Sequence, residues 1–278
     1  MKRRDLSLAA AMLVNVGLGA VSAAAQSAPE LSLTRFDCGK TTTVADVGRF
    51  SDVAAFKGLS IQLTFSCYLI KHGNDYFVWD TGNPPASGGA PAPTAPSLSL
   101  VEQLAQLHLK PEQITFVGIS HYHGDHVGQV ASFPQATLLI GKGDWDALND
   151  PKPASGLNSS NFAHWISGGG KVEPLIGDKD VFGDGSVIML NTPGHTPGHH
   201  SLLIKLRDMG NVLITGDLAH FHENYDGNGV PTFNTSRAET LASLDRFKQL
   251  ATNLKATVII QHDARDIDKL PAFPASAK

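Results

Sequence analysis

The sequence predicts a layered α/β sandwich, two β-rich halves with interleaved helices. Three observations carry this. Runs of strand length and strand composition recur from residue 31 to residue 260. Amphipathic helical stretches separate several of the later runs. Histidine- and aspartate-bearing turns follow directly on four of the runs, where a rigid scaffold can hold side chains for chemistry.

In chain order, Lys2, Arg3 and Arg4 precede an apolar run from Leu6 to Ala20 and the small residues Ala23, Ala24 and Ala25. This is the pattern of a cleavable signal peptide, residues 1–25. A membrane anchor would need roughly 20 unbroken apolar residues. The expected product, residues 26–278, is a single hydrolase domain with no integral membrane segment, periplasmic or secreted. The Arg3–Arg4 pair leaves general secretion and twin-arginine export both open. Leu31 to Phe36, Leu59 to Ile70 and Tyr76 to Trp79 read as a β-meander, with Gly73, Asn74 and Asp75 as one turn. Gly82 to Ser97 is too rich in Pro, Gly, Ala and Ser to form a core element and reads as a mobile loop. Ser99 and Glu102 form a capping box for a helix that turns Val101, Leu104 and Leu107 inward. Further strands are expected at Ile114 to Ile119, Ala136 to Ile140, Val187 to Leu190, Ser201 to Leu206, Val212 to Ile214 and Val258 to Ile260. Between the last two, Ser236 and Glu239 start a helix carrying Leu241, Leu244, Phe247 and Leu250 on one face.

Formal charge is -4, and removing Lys2, Arg3, Arg4 and Asp5, together +2, leaves -6. Such a surface does not attract nucleic acid. Cys38 and Cys67 are the only cysteines, and the residues alone leave a disulfide and two buried thiols equally open. Neither sits beside a histidine motif, so neither is assigned to metal or catalysis. Twelve histidines are the compositional oddity.

The densest chemistry is Ser120-His121-Tyr122-His123-Gly124-Asp125-His126, at the end of a predicted strand. Three imidazoles and a carboxylate within six residues make neither a helix stripe nor a packed core. In an extended turn His121 and His123 point the same way, while Asp125 and His126 face a second position on the following turn. That geometry suits two adjacent cations. His195 (in Asn191-Thr192-Pro193-Gly194-His195), Asp217 (in Thr215-Gly216-Asp217) and His262 (in Gln261-His262-Asp263) each follow a strand. Taken singly, each is as readily a loop histidine or a turn aspartate; their shared placement argues for ligands.

With SHYHGDH, NTPGHTPGHHSL, TGDL and QHD in this order, the chain resembles the metallo-β-lactamase superfamily, and within it the N-acyl homoserine lactone lactonases. The resemblance implies an αββα four-layer sandwich, two mixed β-sheets flanked by helices. It implies two zinc ions, one held by His121, His123 and His195, the other by Asp125, His126 and His262, with Asp217 bridging. It also implies that Asp80, in Trp79-Asp80-Thr81-Gly82, orients a ligand histidine, where the residues alone allow a turn aspartate. Many such lactonases carry a tyrosine three residues after the bridging aspartate. This chain has His220, which could contact substrate or support the ligands; Tyr225 is the lesser candidate. His199 either steadies its loop or supports a ligand.

The expected reaction is lactone ring opening by a hydroxide shared between the metals, with Asp125 orienting it and shuttling the proton. Other divalent transition metals suit the same donors. The substrate expected is an N-acyl homoserine lactone, in a pocket walled by Gly82 to Ser97 and Pro151 to Phe162, with Trp145, Phe162, Trp165, Phe221 and Phe233 as apolar candidates. The runner-up is an organophosphate triester hydrolase of the methyl parathion type. A β-lactamase ranks lower because those enzymes usually have Cys or Ser where Asp217 stands, and a non-enzymatic metal-binding module ranks last. A homodimer is compatible with the sequence.

Overall fold

Side-chain alternation decides the layers, because both faces of each sheet are buried. The computed structural model describes residues 29–86, 94–152 and 157–278. The predicted signal peptide and residues 87–93 of the Gly82 to Ser97 loop lie outside the described residues. The strands are β1 (Leu31–Lys40), β2 (Ala45–Asp46), β3 (Ser60–Ile61), β4 (Thr64–His72), β5 (Asp75–Trp79), β6 (Phe116–Ile119), β7 (Thr137–Gly141), β8 (Val172–Leu175), β9 (Lys179–Asp180), β10 (Val187–Asn191), β11 (His200–Leu206), β12 (Gly210–Ile214) and β13 (Thr257–Ile259). The α-helices are α1 (Leu100–Gln106), α2 (Gly124–Val127), α3 (Lys142–Leu148), α4 (Ala163–Ile166), α5 (His222–Asp226) and α6 (Arg237–Asn253).

One sheet runs β1-β4-β5-β6-β7-β8, the other β13-β12-β11-β10-β9. Both are mixed: β1, β4 and β5 pair antiparallel and β5 to β8 parallel, while β12 and β13 form the parallel pair of the second sheet. On β4, Phe65, Cys67 and Leu69 join Leu100 and Leu104 of α1 in an outer core, with Phe162 and Trp165. Tyr68 and Ile70, the alternate residues, face the inner core with Leu202, Ile204, Val212 and Ile214 of the second sheet. On the far side Leu203 and Leu213 meet Leu244 and Phe247 of α6. The order is therefore helix, sheet, sheet, helix. Both helix starts behave as their sequences require. Glu102 N–H donates to Ser99 Oγ at 3.2 Å and Ser99 N–H to Glu102 Oε2 at 2.7 Å. Glu239 N–H donates to Ser236 Oγ. Among the described residues no helix is long and apolar enough to cross a membrane.

Two expectations need correction. Leu59 to Ile70 is not one strand: β3 pairs with β2 in a separate two-stranded ladder, and β4 starts at Thr64. Apolar composition marks burial, not the pairing partner. Strand β8, which the sequence conceals, contains Pro174; it pairs only with β7, at the sheet edge where a missing N–H is tolerated.

Cys38 and Cys67, on neighbouring strands, form a disulfide with Cα atoms 5.9 Å apart. It packs on Gly82, whose φ of +61° and closeness to both sulfurs leave no room for a side chain. Gly82 in turn accepts from Gly128 N–H through its carbonyl, and Thr81 N–H donates to His126 O. The disulfide thereby braces the segment that holds α2 in place. Closing a 29-residue separation, it should contribute about 3–4 kcal/mol. The double variant C38S/C67S should lose that much in denaturant unfolding; unchanged stability would show that the brace carries no load.

Candidate metal centre

Four strand ends deliver seven polar side chains to one edge of the sandwich. Strand β6 runs into His121 and His123, and α2 follows with Asp125 and His126. His195 lies between β10 and β11, Asp217 just after β12 and His262 just after β13. The structure brings together all seven residues singled out in the sequence. Donor atoms of His121, His123, His195 and Asp217 lie within 4.8 Å of one another, and so do those of Asp125, His126 and His262.

The first group is a triangle of ring nitrogens. His121 Nε2 and His123 Nδ1 are 2.9 Å apart, His195 Nε2 and His123 Nδ1 2.9 Å, and His195 Nε2 and His121 Nε2 3.2 Å. In the second, His126 Nε2 and His262 Nε2 are 3.1 Å apart. Asp217 serves both. Its Oδ1 lies 2.7 Å from His262 Nε2 and 3.0 Å from His126 Nε2; its Oδ2 lies 3.2 Å from His195 Nε2 and 3.5 Å from His121 Nε2. Asp125 Oδ2 stands 3.7 Å from His126 Nε2 and 3.9 Å from His262 Nε2.

The far sides of the rings show which nitrogens are bare. His126 Nδ1 donates to Asp80 Oδ2 at 2.8 Å, His262 Nδ1 to Thr64 O at 2.8 Å and His195 Nδ1 to Asn234 Oδ1 at 2.8 Å. In the neutral ring each Nε2 then carries a lone pair. With both rings neutral, the two lone pairs of His126 and His262, facing each other at 3.1 Å, repel unless a proton or a cation lies between them. Nitrogens bound tetrahedrally at ~2.0–2.1 Å sit roughly 3.3 Å apart, close to the spacing of the triangle. The donor set fits divalent cations of the zinc type.

Burial and charge act against each other here. Burial drives His121 well below the ordinary imidazole range and, with His195 beside it, takes His123 to about 4. Burial would lower His126 too, but the carboxylates of Asp217, Asp80 and Asp125 outweigh it and hold this ring well above its usual value. Burial would raise Asp217, yet the imidazoles of His126, His262, His220 and His121 keep its carboxyl well below the carboxylate range.

Asp80 is fully buried with a φ of +56°. It accepts from His126 Nδ1, Ser120 N–H at 2.7 Å and Gln261 Nε2 at 2.8 Å, which is the ligand-orienting alternative rather than a turn role. His199 accepts from Asp217 N–H at 2.9 Å through Nε2 and donates to Thr192 O through Nδ1, so it too supports a site residue. His220 Nε2 lies 3.1 Å from Asp217 Oδ2. A carboxylate only accepts, so this ring donates to Asp217; of its two open roles, support of the centre is the one this geometry displays.

Several contributors had no sequence signal. Asn234, which aims His195, sits in an ordinary loop. Asp144 looks like a surface helix charge but is buried, accepting from Tyr122 N–H, Thr196 Oγ1 and Gly198 N–H and tying two ligand-bearing loops together. Burial pushes its carboxyl up to about 7. Asn224 accepts from His220 N–H and donates to the carbonyls of Phe50 and Gly229.

A cavity of about 420 Å³ opens onto the centre, lined by Arg49, Phe50, Leu63, Phe65, His123, Asp125, Asp217, His220, Phe233 and His262. Among the described residues this corrects the expected walls. Of the apolar candidates only Phe233 lines it; Phe162 and Trp165 are core, Trp145 packs against that core, and Phe221 is buried against Phe50 and Phe56. The Gly82 to Ser97 and Pro151 to Phe162 segments contribute Asn83, Pro84, Thr94, Asn158 and Asn161 to an adjoining groove that shares Phe65 and Asp125. Tyr225 packs on α6 instead, against Phe247.

The family model described as metallo-beta-lactamase superfamily matches residues 65–262. The chain belongs to the metallo-beta-lactamase superfamily. Within that superfamily it is 30% identical over 193 residues to the N-acyl homoserine lactonase AttM of Rhizobium radiobacter, covering 63% of this chain and 69% of that protein. The fold is shared with a solved quorum-quenching N-acyl homoserine lactone hydrolase at a TM-score of 0.76 and 24% identity, covering 90% of this chain and 98% of that one. It is also shared with AidC, described as a dizinc quorum-quenching lactonase, at a TM-score of 0.65 and 21% identity, over 90% and 91% of the two chains.

Removing Asp80 should leave Ser120 N–H without an acceptor, take one of the two acceptors of Gln261 Nε2, and leave His126 Nδ1 with Ser120 Oγ alone. Asp80→Ala should weaken metal retention by about 10–100-fold, read by titration against a competing chelator. Retention equal to wild type would show that His126 needs no orienting partner.

Proposed function

We propose that this chain hydrolyses the ring ester of N-acyl homoserine lactones using two zinc ions. The observation that carries the proposal is Asp217, one carboxylate whose two oxygens face separate ligand groups. His121, His123 and His195 would hold one ion, Asp125, His126 and His262 the other, with Asp217 between them. A structural zinc site is closed by four ligands, whereas these groups adjoin an open cavity. The similarity to lactonases such as AttM supports the lactone as substrate.

Bound at these donors, two divalent cations supply Lewis acidity, which makes water acidic near neutral pH and polarises a carbonyl. The remaining work falls to the chain. Asp80, Asn234 and the Thr64 carbonyl fix the ring tautomers, so each ligand Nε2 presents its lone pair without reorganisation. Asp125, partly exposed on the cavity wall, is placed to accept a proton from the attacking water and return it to the leaving ring oxygen. His220, donating to Asp217 Oδ2, steadies the shared carboxylate. Phe50, Leu63, Phe65 and Phe233 give the cavity an apolar wall suited to an acyl chain.

The test is ring opening of short- and long-chain N-acyl homoserine lactones by zinc-loaded protein, with paraoxon and a cephalosporin in parallel. Lactones should be the best substrates by orders of magnitude, and Asp217→Asn should lower their turnover at least on the order of a hundredfold. Rapid paraoxon or cephalosporin turnover with negligible lactone opening would discard the substrate assignment.

A further inference from the structure

One member of the cavity wall is unlike the rest. Apart from the ligand groups and His220, the lining is Phe50, Leu63, Phe65 and Phe233, with a single permanent cation, Arg49. Its guanidinium carbon lies 4.7 Å from the ring centre of Phe233 and 5.7 Å from that of Phe50. The backbone is tied down as well: the Arg49 carbonyl accepts from Thr232 N–H at 2.9 Å and Thr232 Oγ1 at 3.2 Å, and Asn224 Nδ2 holds the next carbonyl, that of Phe50. Arg207, Arg237, Arg246 and Arg265 each pair with a carboxylate; among the described residues Arg49 pairs with none. A guanidinium held against aromatic rings and paired with no carboxylate keeps N–H donors free. Arg49, itself exposed, thus offers the cavity one cationic donor beside its apolar residues.

We infer that Arg49 is a specificity residue, donating a hydrogen bond to the amide carbonyl oxygen of an N-acylated lactone. The inference rests on the lactonase reading and deepens it. With the ring ester at the ligand groups, such a substrate presents one further strong acceptor, the amide oxygen, followed by an apolar chain. A single donor set among Phe50, Phe65 and Phe233 matches that sequence of groups. An alkyl lactone lacking the amide offers nothing for the guanidinium to bind.

The experiment compares an N-acyl homoserine lactone with an alkyl γ-lactone of matched length, using zinc-loaded wild type, Arg49→Met and Arg49→Lys. Arg49→Met should lower the ratio of the two kcat/KM values by about ten- to a hundredfold. The loss should lie mainly in KM for the amide substrate, and Arg49→Lys should recover part of it. Zinc content and melting temperature report whether each variant is intact. Equal losses on both lactones would reduce Arg49 to a brace between Phe50 and Phe233 and overturn the inference, as would an unchanged ratio. Wild-type protein that opens neither lactone would overturn the parent reading and this inference with it, before any variant is made.

Discussion

The charge balance around the Asp217 carboxylate is the constraint on which the rest of this molecule depends. Five imidazoles approach its two oxygens within 3.5 Å in a nearly dry setting, and His199 accepts from its backbone N–H. An isolated buried carboxylate would be costly to keep ionised, and ring nitrogens with lone pairs turned inward would repel one another. Each is made tolerable by the other, and by a proton or a cation among the ring nitrogens. The sandwich supplies rigid strand ends, the strand ends supply the groups, and the groups are stable only as an ensemble.

That dependence runs outward through named contacts. Asp80 reaches His126, Ser120 and Gln261 and so ties together the ends of β5, β6 and β13. Asp144 joins the loop of His121 and His123 to the loop of His195. Asn224 links His220, at the centre, to Phe50, on the cavity wall. Both aspartates are fully buried and each accepts from three donors, so losing either disturbs several segments at once. Chemistry and folding share these residues, and a stability measurement on them is also a measurement on the site.

Much of this was legible beforehand, for identifiable reasons. The candidate ligands declare themselves because imidazole and carboxylate at that density have no role in a core, and because each follows a strand. The αββα layering is implied by the family resemblance; runs such as Leu202–Ile204, taken alone, mark strands and burial but not the layer order. What escaped is of two kinds. Asn234, Asp144 and Asn224 act through single hydrogen bonds to distant segments, and a lone polar residue carries no local pattern. The cavity wall was assigned to the longest Pro- and Gly-rich loops, whereas the ladder of β2 and β3 and the Pro231–Asn234 turn bring Arg49, Phe50, Leu63 and Phe233 there instead. Proximity across nearly two hundred residues of chain is a property of packing, not of composition.

The central claim is that one carboxylate organises two cation sites, and anomalous scattering at the zinc edge from crystals of the zinc-loaded protein tests it directly. The account predicts two peaks roughly 3.5–4 Å apart, one against His121, His123 and His195, the other against Asp125, His126 and His262, each next to a different oxygen of Asp217. A single peak, or two peaks with Asp217 turned away from either, would contradict it.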